Sequence, residues 1–301
     1  MTASDGRIDA RDWALLSALS VLWGGSFFFN GVVLRELPPF TLVLLRVALA
    51  AIILLPVLRA HRLPFPRGLT GWRPFFAVAL FNNVLPFSLV VVAQTHIASS
   101  MASILSATTP LFTLVVMAAA GEEKLLFWRV AGVIVGLLGV IILRGGGFGF
   151  QDEQGLGALL CLAAAFSYGI AALIARRGLA DSPPLASATF QLTASSLMMA
   201  VVAAIFDRPW QLPMPGAVTW LAVIGLAALS TALAYIVFFQ VLRRSGATNV
   251  MLVTLLVPVT AILLGSLVLG EHISPREIAG ALVIGSALLL IDGRVLKFFG
   301  R

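Results

Sequence analysis

Few side chains in this sequence are equipped for chemistry, and most of them sit in apolar company. Asn82 and Asn83 interrupt the run "VALFNNVLPFSLVVVA" (residues 78–93), with Pro86 one helical turn beyond Asn82. Arg46 stands alone in "TLVLLRVALAA" (residues 41–51). Hydroxyls recur inside apolar runs at Ser103, Ser106, Thr231 and Thr254. Amides, hydroxyls and one guanidinium can bind and orient a small molecule, but they do not make an acid–base pair. Catalysis needs a nucleophile, an acid–base group or a metal cluster. Here the thirteen Asp and Glu residues fall in loops or at the ends of apolar runs, as do His61, His96 and His272. Cys161 is the single cysteine, which excludes an internal disulfide and a thiolate cluster. A membrane-embedded enzyme is thus a remote alternative, and no cofactor or metal is expected.

The solvent around these residues follows from composition. Of 301 residues, 60% are hydrophobic and 11% charged, with a mean hydropathy of +1.03. A soluble chain carries about 25% charged residues. This chain is therefore expected to be an all-α integral membrane protein. A helix needs roughly 20 apolar residues to cross the hydrocarbon core. Ten runs meet that need, near 13–34, 40–58, 73–94, 97–119, 126–143, 156–175, 185–206, 217–241, 247–269 and 277–292. Turn and charge signals such as "GEEK", "RRGLADSPP" and "RRSGA" separate them. The runs do not alternate polar with apolar residues, which argues against a β-barrel. The first run is too long for a signal peptide and ends at no small-x-small site, so it reads as a retained helix.

Charge then orients the chain. Ten spans place both termini on one side. Arg7, Arg11, Arg59, Arg62, Arg67, Arg73, Lys124, Arg129, Arg176, Arg177, Arg243, Arg244, Arg294, Lys297 and Arg301 fall on that side, against Arg35, Arg144, Arg208 and Arg276 on the other. The positive-inside rule makes the termini cytoplasmic, in a plasma (inner) membrane. The net charge of +7 is thereby explained by scattered loop anchors, and nucleic acid is not an expected partner. Trp13, Trp72, Trp128, Trp210 and Trp220 lie at span ends as interface anchors, whereas Trp23 lies deep.

The two halves are alike. An offset of 145 places "LWG" (residues 22–24) on "SYG" (167–169), Pro38 on Pro183 and Arg46 on Gln191. An offset of 146 pairs Gln94 with Gln240, and one of 148 pairs Pro110 with Pro258, Glu123 with Glu271 and Gly132 with Gly280. The expected units are residues 1–145 and 146–301, each with five spans. An odd number of spans inverts the second unit, and inverted repeats are a transporter signature with a site near the midplane.

Trp23 and Gly24 in the first run, Arg46 early in the second, Pro110 and Pro258 in the fourth and ninth, and "GE" after each of those two make the chain resemble the EamA-type drug/metabolite transporter family. The resemblance covers essentially the whole chain. It implies export of small metabolites, amino acids prominent among them, through a central cavity formed by helices one to four and six to nine. Helices five and ten would pack away from that cavity. Drugs or nucleotide-linked sugars are the alternative substrates, although a nucleotide would need more cations than Arg46 supplies.

Within the membrane, each proline removes a donor and frees the carbonyl four residues earlier. Pro110 frees Ser106, Pro258 frees Thr254 and Pro86 frees Asn82. Such breaks are tolerated where protein or a wet cavity satisfies the carbonyl, so these three prolines are candidate hinges or static kinks. Asn82 lies about 15 Å from the interface marked by Trp72, near the midplane. It would line a cavity or bond a neighbouring helix. Arg46 would draw a carboxylate-bearing substrate, or else cap carbonyls and snorkel. Trp23, Phe27 and Tyr168, with Asn82, Asn83, Ser103, Ser106, Thr231 and Thr254, are the expected cavity lining for a neutral or aromatic amino acid. No acidic residue lies inside a span to relay protons, so facilitated diffusion is expected, with His96 the one speculative coupling group. The small-residue faces at 132–139 and 280–287 allow close helix contact. Packing within a monomer is their expected role and a dimer contact the alternative.

Overall fold

Apolar surroundings leave a backbone no partner but itself, and every regular element among the described residues is helical. The computed structural model describes residues 10–124, 126–145, 152–250 and 253–292. In chain order the helices are α1 (Ala10–Val33), α2 (Pro39–Ala60), α3 (Gly68–Ala93), α4 (Ser99–Ala119), α5 (Phe127–Arg144), α6 (Glu153–Gly178), α7 (Pro184–Phe206), α8 (residues 217–250), α9 (Val253–Leu269) and α10 (Pro275–Asp292). Seven of these, α1 to α4 and α6 to α8, are long and apolar enough to cross a bilayer. α5 and α9 are shorter apolar helices, and α10 carries Arg276, Glu277 and Asp292 at its ends. Pro39, Pro184 and Pro275 open their helices in the first turn, where a missing N–H costs nothing.

One boundary departs from the sequence pattern. The expected break at "RRSGA" is helical, and α8 runs on to Val250. A lone glycine costs a helix about 1 kcal/mol and does not by itself stop it. α9 then starts at Val253 instead of 247, with residues 251–252 outside the described set, as are the basic residues Arg7, Arg294, Lys297 and Arg301.

Packing follows one scheme in both halves. α1 packs on α8 and α9, and α6 packs on α3 and α4; α2 meets α7, and α5 meets α10. Matched positions make matched contacts. A Cβ on Gly24 of α1 would stand 2.6 Å from Thr260 Cβ and 2.9 Å from the Val257 carbonyl of α9. A Cβ on Gly169 of α6 would stand 3.1 Å from the Phe112 carbonyl of α4. Between α5 and α10, a Cβ on Gly132 would lie 3.0 Å from Ala287 O and one on Gly280 2.8 Å from Gly139 O. Glycine brings these backbones together. The small-residue faces of α5 and α10 are thus spent on each other within the chain.

Two helices widen at corresponding points. α3 contains a π-helical turn at Leu80–Val84, and α8 contains one at Ala228–Leu233. In α3, Leu85 N–H reaches back five residues to Leu80 O. In that register the carbonyl opposite the missing Pro86 N–H is Phe81's, one residue before the Asn82 expected from an α-helix. Ser167 Oγ of α6 donates to it at 2.8 Å. In α8, Thr231 Oγ1 donates to Leu226 O, five residues back, at 2.9 Å. The matched prolines behave differently. α4 breaks at Ala107 and Thr108, and Thr109 Oγ1 donates at 2.7 Å to Ser106 O, the carbonyl that Pro110 frees. α9 stays α-helical through Pro258.

The two ends of the bundle are held differently. At the end where α2, α4 and α8 begin, carboxylates cap helix N-termini, and each cap joins one half to the other. Glu271 accepts from Ser99 N at 2.8 Å and Ser100 N at 3.0 Å. Asp207 accepts from Thr41 N at 2.6 Å, and Glu36 accepts from Gly216 N at 2.7 Å. Left-handed Gly270 (φ 72°) turns the chain so that Glu271 points back, and Gly265, lacking a side chain, leaves room for its carboxylate. Asn30 donates to Gln94 at 2.8 Å, and Gln94 donates to Ser99 Oγ at 2.8 Å. The opposite end carries partly exposed ion pairs, Glu122 with Arg177 at 2.9 Å and Glu123 with Arg129 at 2.8 Å.

Two stability outcomes follow, both read as thermal unfolding of the detergent-solubilised protein. Glu271→Ala removes two charge-assisted bonds and should cost about 1.5–3 kcal/mol, while Glu123→Ala, losing a partly exposed pair, should cost under about 1 kcal/mol. Gly24→Val should lower the midpoint by the equivalent of about 1–3 kcal/mol through overpacking. Gly285→Ala, whose Cβ would meet nothing closer than 3.9 Å, should raise it by the equivalent of up to about 1 kcal/mol.

Candidate functional site

The π turns gather polar side chains into one layer. Counting from Trp72, Asn82 sits about 15 Å along α3 at a rise of 1.5 Å per residue, near the middle of a bilayer core. The wide turn sets consecutive asparagines toward α7 and α8. Asn82 Nδ2 lies 3.1 Å from Gln191 Oε1, 3.1 Å from Tyr235 Oη and 3.2 Å from Asn83 Oδ1. Its two N–H groups thus serve three acceptors. Asn83 Nδ2 donates to Ser195 Oγ at 2.9 Å, and Tyr235 Oη donates to Asn83 Oδ1 at 3.2 Å. Ser195 in turn donates to Gln191 O, one turn back, at 2.7 Å. α3, α7 and α8 are thereby joined through half-buried and buried side chains.

Arg46 enters the same layer from α2. It is 6% exposed. Its Nε donates to Thr231 Oγ1 at 3.0 Å, and its Cζ lies 3.7 Å from the centroid of the Phe87 ring of α3. The ring face attracts the cation, most strongly where water is excluded. Thr231 accepts from Arg46 while its own hydrogen goes to Leu226 O, so one hydroxyl fixes both the guanidinium and the π turn.

The contacts are reciprocal. Arg46 and Gln191 are matched residues of α2 and α7, and the two π turns are matched segments of α3 and α8. Arg46 binds the π turn of α8, and Gln191 binds the π turn of α3. Beside the layer runs a ladder of rings. Trp23 of α1 lies 5.6 Å from Phe238, Phe238 lies 5.2 Å from Phe239, and Phe239 stacks on Tyr235 at 6.1 Å.

Of the residues singled out in the sequence, Asn82, Asn83, Thr231 and Arg46 meet in the layer, and Trp23 joins through the ladder. Tyr168 is half-buried on α6 within electrostatic range of Arg46. Phe27 is core, 8% exposed, and its carbonyl accepts from Gln94. Ser103 and Ser106 donate to their own helix, to Ser100 O and Ala102 O. Thr254 is half-buried near the start of α9. Gln191, Ser195, Tyr235, Phe87, Phe238 and Phe239 were not singled out. Gln191 was signalled by its match to Arg46, and Ser195 by lying one turn from Gln191 on the same face. Among the described residues no three His, Cys, Asp or Glu side chains could share a metal ion. A hollow of about 230 Å³ lies elsewhere, between the α2–α3 and α6–α7 connections. It is lined by Phe65, Phe75, Pro183 and Phe190 among others, and it is apolar.

The chain also has known relatives. The EamA-like transporter family model matches residues 12–145 and 155–292. An uncharacterized inner membrane transporter of Escherichia coli (strain K12), YedA, is 28% identical over 289 residues, covering 93% of this chain and 90% of its own. An uncharacterized transporter of Bacillus subtilis (strain 168), YoaV, is 24% identical, with 89% and 91% covered. A protein of Salmonella typhimurium named a probable amino-acid metabolite efflux pump is 25% identical, with 93% and 94% covered. A solved crystal structure superposes with a TM-score of 0.68 over 95% of this chain and 98% of its own at 22% identity, which speaks to fold alone. A helical chain that gathers amides and a guanidinium between its apolar helices and matches the family model over most of its length is a small-molecule transporter, and it belongs to the EamA-like transporter family.

Proposed function

We propose that the protein exports small metabolites, foremost neutral and aromatic amino acids, by alternating access around the polar layer of α2, α3, α7 and α8. In this reading ten helices span the membrane as two inverted repeats, residues 1–145 and 146–301, with both termini cytoplasmic in an inner membrane. The observation that carries it is the reciprocal pairing of Arg46 with one π turn and Gln191 with the other. A site shared by two repeats is built at their junction, and rocking one repeat against the other exposes it to each side in turn. Supporting features are the matched glycine contacts of α1 with α9 and of α6 with α4, and the separate match of the family model to each half.

The capped end supplies the closed gate in this conformation. Opening it requires Glu271, Asp207 and Glu36 to release N-termini of the opposite half. By the positive-inside reading that end is the outer one. The monomer is the working unit, because the small-residue faces of α5 and α10 are used within the chain. The substrate class draws on the Salmonella relative's name and on the ladder from Trp23 to Tyr235, which suits an aromatic or apolar side chain. The same ladder favours a second reading, efflux of small apolar drugs.

Purified protein in liposomes should release preloaded labelled neutral and aromatic amino acids faster than protein-free liposomes. No acceleration for any member of the panel sinks the substrate class. Asn82→Ala and Thr254→Ala should slow release, Asn82→Ala by about tenfold for the loss of roughly 1.5 kcal/mol of contacts that shape the site, with an elution profile that still shows folded protein. Wild-type rates in both would place the site elsewhere. An imposed pH gradient should leave the rate unaltered if transport is uncoupled.

A further inference from the structure

A cation this deep is costly and needs either a partner or a task. Arg46 caps no backbone carbonyl, and no described carboxylate bonds it. Its single hydrogen bond is the one from Nε to Thr231. Nη1 and Nη2 bond to no described group. Yet neither is sealed in protein, because the sealed side-chain atoms that lack a partner among the described residues are Asn30 Oδ1 and Ser230 Oγ. The two terminal nitrogens therefore keep a small accessible surface on a residue that is otherwise buried. They form the parallel fork that takes a carboxylate through two bonds.

The neighbours extend the pattern. The Tyr168 hydroxyl is also without a bond and is not sealed, and both Tyr168 and Tyr235 lie within electrostatic range of the guanidinium. Across the layer, Asn82 Oδ1 and Gln191 Nε2 take part in no hydrogen bond, while Asn82 Nδ2 holds Gln191 and Tyr235 in place. The unspent groups are thus the donors of Arg46 and Tyr168 on one side, and the Gln191 amide donor and the Asn82 amide acceptor across the layer. Phe87 and Thr231 fix the plane of the guanidinium before any ligand arrives, which lowers the ordering cost of binding.

We propose that Arg46 is the carboxylate anchor of the translocation site, so that transported molecules carry one free carboxylate, with an ammonium group placed against Asn82 Oδ1. This rests on reading the polar layer as the site of transport. A single cation suits a monoanionic group, whereas a phosphate dianion calls for several.

The test compares neutral amino acids, L-phenylalanine first, with the corresponding amides, which keep the ammonium and lose the charge on the acid. Equilibrium dialysis on purified wild type should show the acid binding about 10- to 100-fold more tightly than its amide, the range for one charge-assisted interaction. Arg46→Gln should remove that preference, and Arg46→Lys should restore part of it. Equal affinity of acid and amide for wild type, a preference that survives in Arg46→Gln, or no binding of any acid overturns the anchor. Where Arg46→Gln does not fold, equal affinity of acid and amide for wild type still overturns the anchor, and a weakened preference in Arg46→Lys supports it. Liposome release separates the two readings. Acid-selective binding without release overturns transport and keeps the anchor, while release inhibited equally by acid and amide overturns the anchor and keeps transport.

Discussion

Hydrocarbon offers no hydrogen bonds, so each backbone group that a helix fails to pair must find a side chain from the protein. The midplane layer follows from that constraint. Pro86 cannot donate, the helix before it widens to a π turn, and the carbonyl left over at Phe81 takes the Ser167 hydroxyl. The π turn in turn sets Asn82 and Asn83 toward α7 and α8, where Gln191, Ser195 and Tyr235 meet them. In α8 no proline is present, and the Thr231 hydroxyl occupies the Leu226 carbonyl instead. The same hydroxyl holds Arg46. Backbone repair and side-chain placement are therefore one arrangement, in which removing a single hydroxyl loosens both the turn and the cation.

The two halves reach similar geometry through different chemistry. Matched α2 and α7 residues are a cation and an amide, Arg46 and Gln191, and the matched turns present asparagines in α3 but Ser230 and Thr231 in α8. The scaffold contacts are less divergent, with Gly24 and Gly169 in corresponding places against α9 and α4. A backbone approach tolerates only glycine, whereas a polar layer can be satisfied by many donor and acceptor sets. The layer is accordingly unsymmetrical in charge, with its one cation on the α2 side and its amides facing α7. An unsymmetrical layer suits a ligand that itself has unlike ends.

How much was legible follows the same division. The helices were readable because twenty-residue apolar runs have one solution in lipid. Arg46 and the asparagines stood out as polar residues in such runs. Gln191, Ser195 and Tyr235 did not, because an amide, a hydroxyl and a phenol are less conspicuous there, and their meeting depends on helix contacts far apart in sequence. The π turns were invisible as such, since a register change of one residue leaves no mark on hydropathy. Ser103 and Ser106 stood out in the sequence but bond within their own helix and not to the layer. A hydroxyl in an apolar run is as easily satisfied by its own helix, and both donate one turn back. The continuation of α8 through "RRSGA" shows that a charged, glycine-bearing segment still pays less by staying helical than by exposing its carbonyls.

The layer also bears on how movement can be coupled to a ligand. A ligand shifts a conformational equilibrium only by the difference in its affinity for the two states. Asn82 Nδ2 is shared among three acceptors on α3, α7 and α8, so a ligand that takes over one of those contacts changes how firmly the other helices are tied. The carboxylate caps at one end join the same two halves some distance away. Each is worth a few kcal/mol at most, and together they are of the size that a ligand's own charge-assisted bonds can offset. A transporter needs that balance. Caps much stronger than the site would lock one state, and a site much stronger than the caps would hold its cargo.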